Sequence, residues 1–336
     1  MLSSLRYNQA GNRKQGIGNR QRAVGGMIAT VTLNPAIDKS VMVPHFEVGK
    51  TNRGEVKRTD AGGKGINVAK AVKQFGIEVC ALGFVAGSNG QFILQALAAS
   101  GIPADFIHVP GETRVNLKIH DPLCGTETEL NEPGFQVLSG HLEAMKQKIR
   151  KHGPRSDVMV FSGSLPPGAP PETFAELITI ASALGAKCML DTAGPALRLG
   201  LEAKPLLLKP NRAEVEELLQ VALRTPAEVA EAACKLLAMG AEEAVISMGA
   251  DGAVAATKQD LMWSPPPAVA PRSSVGAGDA MVAAFAYGEV KHLSFRESFR
   301  LAMAASAAAV TMEGSKMAEL ALVHSLLPQV QILEVR

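Results

Sequence analysis

The sequence predicts an α/β protein built on a mainly parallel sheet, with a second, smaller β-sheet set into it. Three observations carry that reading. Short apolar, β-branched runs recur, each followed by a turn and then a stretch of helical spacing. Glycines close the helical stretches, at Gly76 and Gly101. Two segments, 39–57 and 114–130, break the rhythm with period-two alternation and no helix.

Residues 28–33 read as a buried strand and 66–75 as a helix; 79–85 and 91–99 repeat the pair. Short buried strands are expected at 158–161, 188–190, 206–208 and 244–248, with helices at 171–184 and 212–220. Strands alternating with helices imply a parallel sheet covered on both faces. Such sheets bind ligands at the carboxyl ends of their strands. That rule gathers 34–38, 162–168, 191–194, 209–211 and 247–249 around one crevice. In the exceptional segments, Val41 and Val43, and Val115, Leu117 and Ile119, alternate with polar or small residues. We expect an antiparallel flap there, inserted at about 39–60 and 112–134, that closes over a substrate and excludes water.

Composition narrows the function. The 336 residues are 47% hydrophobic and 20% charged, with a net charge of +2, so no global field points to nucleic acid. Aromatics at 4% and a single Trp leave little for base stacking. Apolar runs such as 301–310 are too short to span a bilayer. Cys80, Cys124, Cys188 and Cys234 are widely spaced without a CxxC, so buried free thiols in a reducing cytoplasm are expected. Residues 1–26 carry Arg6, Arg13, Lys14, Arg20 and Arg22 with no acid and no apolar core, a basic, disordered tail and not a secretory signal. Without those five positive charges the domain at 27–330 and its last residues carry −3.

Four clusters offer chemistry. Gly276, Ala277, Gly278 and Asp279 open a helical run. Backbone amides at such a turn seat an anion, and a carboxylate beside them suits proton abstraction, although Asp also caps helices. Gly62, Gly63, Lys64, Gly65 and Asn67 also lead into a helix; glycines admit a ligand close to the backbone, and Asn67 can donate to and accept from a sugar hydroxyl. Lys209, Asn211 and Glu214 follow a strand; the last two have the spacing of a capping box, and the same Glu suits a water shell around magnesium. Lys50, Arg53 and Arg114 are flap cations suited to a phosphorylated substrate. No Walker A loop, no complete GxGxxG after a strand, no HExxH and no GxSxG elbow occurs.

Taken in order, "AGGKGINVA" (61–69) and "SVGAGDAM" (274–281) resemble the two signatures of the ribokinase-like carbohydrate kinases of the phosphofructokinase B group. The resemblance spans 27–330 and implies a three-layer αβα sandwich with a small β-sheet lid. "TVTLNPAIDKSV" (30–41), "TRVNLKI" (113–119), "FSGSLPPG" (161–168) and "LLKPNRAE" (207–214) are most similar to the 1-phosphofructokinase branch. Tagatose-6-phosphate kinases and minor 6-phosphofructokinases share much of that pattern, and a sensor that has lost catalysis is a further alternative.

The resemblance implies ATP and Mg²⁺ as cofactors, a sugar-phosphate substrate and a homodimer joined through the lid. It makes Asp279 the base and Gly276–Gly278 the anion hole. Asp38, Gly62, Gly63 and Asn67 would bind sugar hydroxyls; Arg114, Arg53 and Lys64 the existing phosphate. Lys50, Lys209, Asn211, Glu214, Ser247 and Gly249 fall on the nucleotide side, with Glu214 reaching the metal through water. Ser273 stands where relatives often carry Asn or Asp.

Overall fold

A computed structural model of the protein describes residues 26–273 and 275–335. The expected basic tail therefore lies outside the described residues except for Gly26, as does Ser274 of the second glycine signature.

The chain runs β1 (Met27–Thr32), β2 (Ala36–Met42), β3 (Glu55–Gly62), α1 (Lys64–Gln74), β4 (Glu78–Val85), α2 (Gly87–Ala99), β5 (Ala104–His108), β6 (Arg114–Asp121) and β7 (Thr126–Asn131). It continues with α3 (Ser139–His152), β8 (Val158–Ser162), α4 (Thr173–Ala183), β9 (Lys187–Asp191), α5 (Gly194–Glu202), β10 (Leu207–Leu208), α6 (Arg212–Leu219) and α7 (Pro226–Met239). Then follow β11 (Glu243–Ser247), β12 (Ala253–Ala256), β13 (Leu261–Ser264), α8 (Ala277–Val290), α9 (Phe295–Val310), α10 (Leu320–Leu326) and β14 (Leu333–Glu334).

Successive strand side chains point to opposite faces, and the apolar strands use both. Ile28, Val158 and Val160 enter one core cluster; Ala29, Val31, Met159 and Phe161 enter the other. Helices α1, α8 and α9 cover the first face through residues such as Ile66, Val72, Phe285 and Phe299. Helices α4 and α7 cover the second through Phe174, Leu177, Val229 and Leu236. Each such fully buried side chain contributes ~1.5–3 kcal/mol of transfer free energy. The result is a ten-stranded sheet between two helical layers, ordered β14-β13-β12-β11-β10-β9-β8-β1-β4-β5. From β11 to β5 the pairing is parallel; β12, β13 and β14 form an antiparallel edge that the strand pattern did not predict.

The small sheet is separate and ordered β3-β2-β6-β7. One expectation is corrected here. The segments form a mixed sheet, not an antiparallel flap: β2 and β6 pair in parallel, Asp38 opposite Asn116 and Ser40 opposite Lys118. Two local hairpins, β2–β3 and β6–β7, are antiparallel, and their junction is long-range. The sheet is two-faced. Asp38, Ser40, Arg114, Asn116 and Lys118 share one side, while Val41, Val56, Leu117, Ile119 and Leu130 share the other. The cysteine expectation also needs correction: Cys80 and Cys188 are buried, but Cys124 and Cys234 are exposed. Cys124 sits in the β6–β7 turn, and Cys234 lies off the buried stripe of α7.

Candidate active site

Helix α8 begins at the glycine turn because Gly276 adopts φ 81°, a left-handed conformation costly to any side chain. A Cβ at Gly276 would lie 2.6 Å from Met317 Cε, so the backbone there is also closely overlain. The first-turn N–H groups of an α-helix have no intrahelical partner, and Asp279 falls in this turn.

Asp279 is buried, and its Oδ2 accepts a hydrogen bond from Asn67 Nδ2 at 2.9 Å. Burial raises its carboxyl to a pKa of about 6, and the charge of Asp191 adds to the shift. Lys64, the Asn67 hydrogen bond and Lys209 oppose it. Asp279 is thus a stronger base than an ordinary carboxylate and still mostly ionised at neutral pH.

Three strand or helix ends place the surrounding charges. Asp191 ends β9 and is 1% exposed. Lys64, the first residue of α1, donates to its Oδ1 at 3.0 Å, and Lys209 Nζ lies 3.5 Å from the same oxygen. Burial alone would raise the Asp191 carboxyl, but the two ammonium groups outweigh it and hold it low. Burial likewise works against the Lys64 ammonium, yet Asp191, Glu214 and Asp279 push its pKa above the ordinary value. Lys209 Nζ also lies 3.3 Å from where a Cβ of Gly278 would stand, so this cation abuts the mouth of α8.

Asn211 caps α6: its side chain accepts from the Glu214 N–H, and Glu214 Oε2 accepts from the Asn211 N–H at 2.8 Å. The capping box is present, and Glu214 Oε1 still turns toward Lys64 at 3.8 Å. Ser247, the last residue of β11, pairs with Asn211 in an isolated bridge, and Gly249 starts the next turn at φ 60°.

On the other side, Asp38 Oδ1 accepts from Asn116 Nδ2 at 3.0 Å. Burial raises the Asp38 carboxyl, and the Asn116 bond and the charges of Lys118 and Lys70 temper the rise. Gly62 must lack a side chain, because a Cβ there would meet Asp38 Oδ2 at 2.3 Å. Gly63 turns the chain into α1 at φ 115°. Arg114 donates to Asn34 O and Glu132 O, both at 3.2 Å. The polar face of the small sheet borders a cavity of about 280 Å³ that also meets Arg272 and Ser273.

The structure thus brings Asp279, Asn67, Lys64, Lys209 and Glu214 into one charged cluster, with Asp38, Gly62, Gly63 and Arg114 along its side. Lys50 and Arg53 stand apart, on the exposed loop between β2 and β3, where Lys50 pairs with Glu47 at 3.7 Å. Three members carry no motif in the sequence: Asp191 lies only within the loop expected at the crevice, and Asn116 and Lys118 fall among the polar positions of the expected flap. Buried polar atoms without a hydrogen-bond partner among the described residues collect here: Asn67 Oδ1, Asn116 Oδ1, Arg114 Nε and Asp191 Oδ2. Buried polar groups are normally paired, so this set suits a ligand rich in hydroxyl and phosphate groups. No cluster of three or more His, Cys, Asp or Glu side chains among the described residues could hold a metal ion. Among the described residues no helix is long and apolar enough to cross a membrane.

Residues 31–320 match the family described as pfkB family carbohydrate kinase. The chain is 40% identical over 284 residues to the 1-phosphofructokinase of Rhodobacter capsulatus, covering 84% of this chain and 90% of the relative. It is 35% identical over 306 residues to the 1-phosphofructokinase of Bacillus subtilis (strain 168), covering 91% and 99%. Among solved structures it superposes on phosphofructokinase-2 from Escherichia coli in complex with potassium with a TM-score of 0.85, at 29% identity, covering 90% of this chain and 98% of that one.

Proposed function

Because this chain belongs to the pfkB family of carbohydrate kinases, we propose that it phosphorylates C6 of fructose 1-phosphate with MgATP. The observation that carries the reading is Asp279: a buried carboxylate of raised pKa, held by Asn67, in the first turn of α8 directly after the Gly276 turn. Relatives 40% and 35% identical to this chain bear the name 1-phosphofructokinase, which favours the 1-phosphate as substrate.

In this reading the C6 hydroxyl gives its proton to Asp279 as its oxygen attacks the γ-phosphorus. The bond from phosphorus to the β,γ-bridging oxygen breaks, and ADP leaves. The amides of Gly276, Ala277 and Gly278 stabilise charge on the transferring phosphoryl group. Lys209 and Lys64 neutralise the nucleotide side, where Asn211, Ser247 and Gly249 line the approach. Asp38, Gly62, Gly63 and Asn67 orient the sugar, and Arg114 holds its 1-phosphate. Lys50 and Arg53 reach the ligands only if the small sheet closes as a lid.

The donor set fits magnesium held through water. Among the described residues Glu214 Oε1 accepts no hydrogen bond and only faces Lys64 Nζ at 3.8 Å, and the buried Asp191 Oδ2 is an acceptor without a partner. Magnesium bound with ATP supplies charge neutralisation on the phosphate oxygens. The apolar face of the small sheet, with Val56 50% and Leu130 55% exposed, is the surface we assign to a homodimer contact.

A coupled assay of ADP release across fructose 1-phosphate, fructose 6-phosphate and tagatose 6-phosphate tests the reading. The highest kcat/KM should fall on fructose 1-phosphate; preference for either 6-phosphate would reassign the substrate. ATP binding without sugar-dependent ADP release would make the chain a sensor.

A further inference from the structure

Behind the crevice, on the far side of Arg58 and Asp60, lies a second cavity of about 360 Å³. Four cations line it: Arg58 from β3, Lys70 and Lys73 from α1, and Lys316 from the loop after α9. Its one carboxylate, Asp60, is committed to Arg58 at 2.5 Å. None of the three lysines has a carboxylate within 4.0 Å among the described residues. Four cations around one carboxylate repel one another, and a long ammonium side chain normally escapes to water. Lys70 does not escape. Its Nζ is held inward by Ala61 O at 2.5 Å and by Ser315 Oγ at 3.5 Å, and burial lowers its pKa.

We propose that this cavity is an effector site for a small polyanion of the phosphate-ester class, distinct from the catalytic crevice. The volume suits a ligand of that size, and the three ammonium groups, none of them paired with a carboxylate among the described residues, supply charge-assisted hydrogen bonds to it.

The site touches both halves of the crevice. Ala61, whose carbonyl Lys70 holds, precedes Gly62 beside Asp38. Arg58 donates to Glu313 O, and Ser315 lies two residues from Met317, whose methyl overlies Gly276. An anion that draws Lys70 and Arg58 toward itself therefore acts on the sugar-side turn and on the α8 turn together. Its regulatory consequence rests on the kinase reading; the binding site does not.

The test is calorimetric titration with inorganic pyrophosphate at constant ionic strength, with and without saturating MgATP, on wild type and the Lys73→Gln/Lys316→Gln double variant. Those two lysines are exposed, and neither belongs to the crevice. We expect wild type to retain a pyrophosphate site in the presence of MgATP, and the double variant to bind there at least about tenfold more weakly, with unchanged KM for fructose 1-phosphate when pyrophosphate is omitted. Binding that MgATP abolishes, binding indifferent to both substitutions, or no binding at all would each overturn the proposal. A chain that fails to phosphorylate fructose 1-phosphate yet binds pyrophosphate through Lys73 and Lys316 loses the assigned reaction and keeps the site.

Discussion

Asn67 and Asp279 are 212 residues apart in sequence, yet the Asn67 amide donates to Oδ2 of Asp279 at 2.9 Å, tying the start of α1 to the start of α8. The two glycine turns thereby become one site. The bond favours the ionised carboxylate, while burial and Asp191 favour the neutral acid.

With Asp279 as the proposed base, that balance sets where the acid limb of the pH–rate profile should fall. The base must be ionised, so kcat/KM should fall as pH drops through about 6. In Asn67→Ala the hydrogen bond to the charged form is gone, and the limb should move to higher pH by about half to one unit. A limb that stays put or moves down would separate Asn67 from the ionisation of Asp279.

Arg114 is fixed by two backbone carbonyls and keeps a buried Nε without a partner among the described residues. Arg114→Ala should raise KM for fructose 1-phosphate about tenfold or more, the scale of a lost charge-assisted hydrogen bond. Free fructose, assayed alongside, should show no such penalty. Equal effects on both sugars would remove the phosphate role.

Gly276 and Gly49 separate two costs. Both have positive φ, 81° and 78°, but only Gly276 would press a Cβ onto Met317; nothing lies within 4 Å at Gly49. Gly49→Ala should lose about 1 kcal/mol from strain alone, and Gly276→Ala clearly more, in denaturant unfolding. Equal losses would mean that Met317 yields freely.

Glu243 tests electrostatics away from the site. Burial and the charges of Glu289 and Glu242 raise its pKa to about 7, against the pull of Lys187. A raised carboxyl pKa means that the folded state holds its proton to higher pH than the unfolded chain. Its ionised form therefore costs stability, fully above pH 7 and not at all below the ordinary carboxylate range. Glu243→Gln should stabilise the protein by roughly 1–3 kcal/mol at pH 8 and leave it unchanged near pH 4.5. A gain of equal size at both pH values would contradict the shift.

Much of this was legible in the sequence, for local reasons. Strand and helix periodicities are short-range, and so are the turns at Gly63 and Gly276 and the Asn211–Glu214 capping box. What was not legible depends on distant partners. The alternation of Val41 and Ile119 has the same period whether strands run parallel or antiparallel, so the β2–β6 pairing was hidden. Asp191 ends a strand in no recognisable motif; only folding brings Lys64 and Lys209 to it. The exposure of Cys234 depends on which face α7 turns to the sheet, and apolar neighbours such as Ala233 and Leu236 obscured that phase.

The most direct measurement is steady-state ADP formation by Asp279→Asn with fructose 1-phosphate and MgATP. Loss of a positioned general base predicts a fall in kcat of about 10²-fold or more, with binding of fructose 1-phosphate preserved in an equilibrium titration. Turnover near the wild-type rate would contradict the assignment of the proton to Asp279, and with it the mechanism built on the α8 turn.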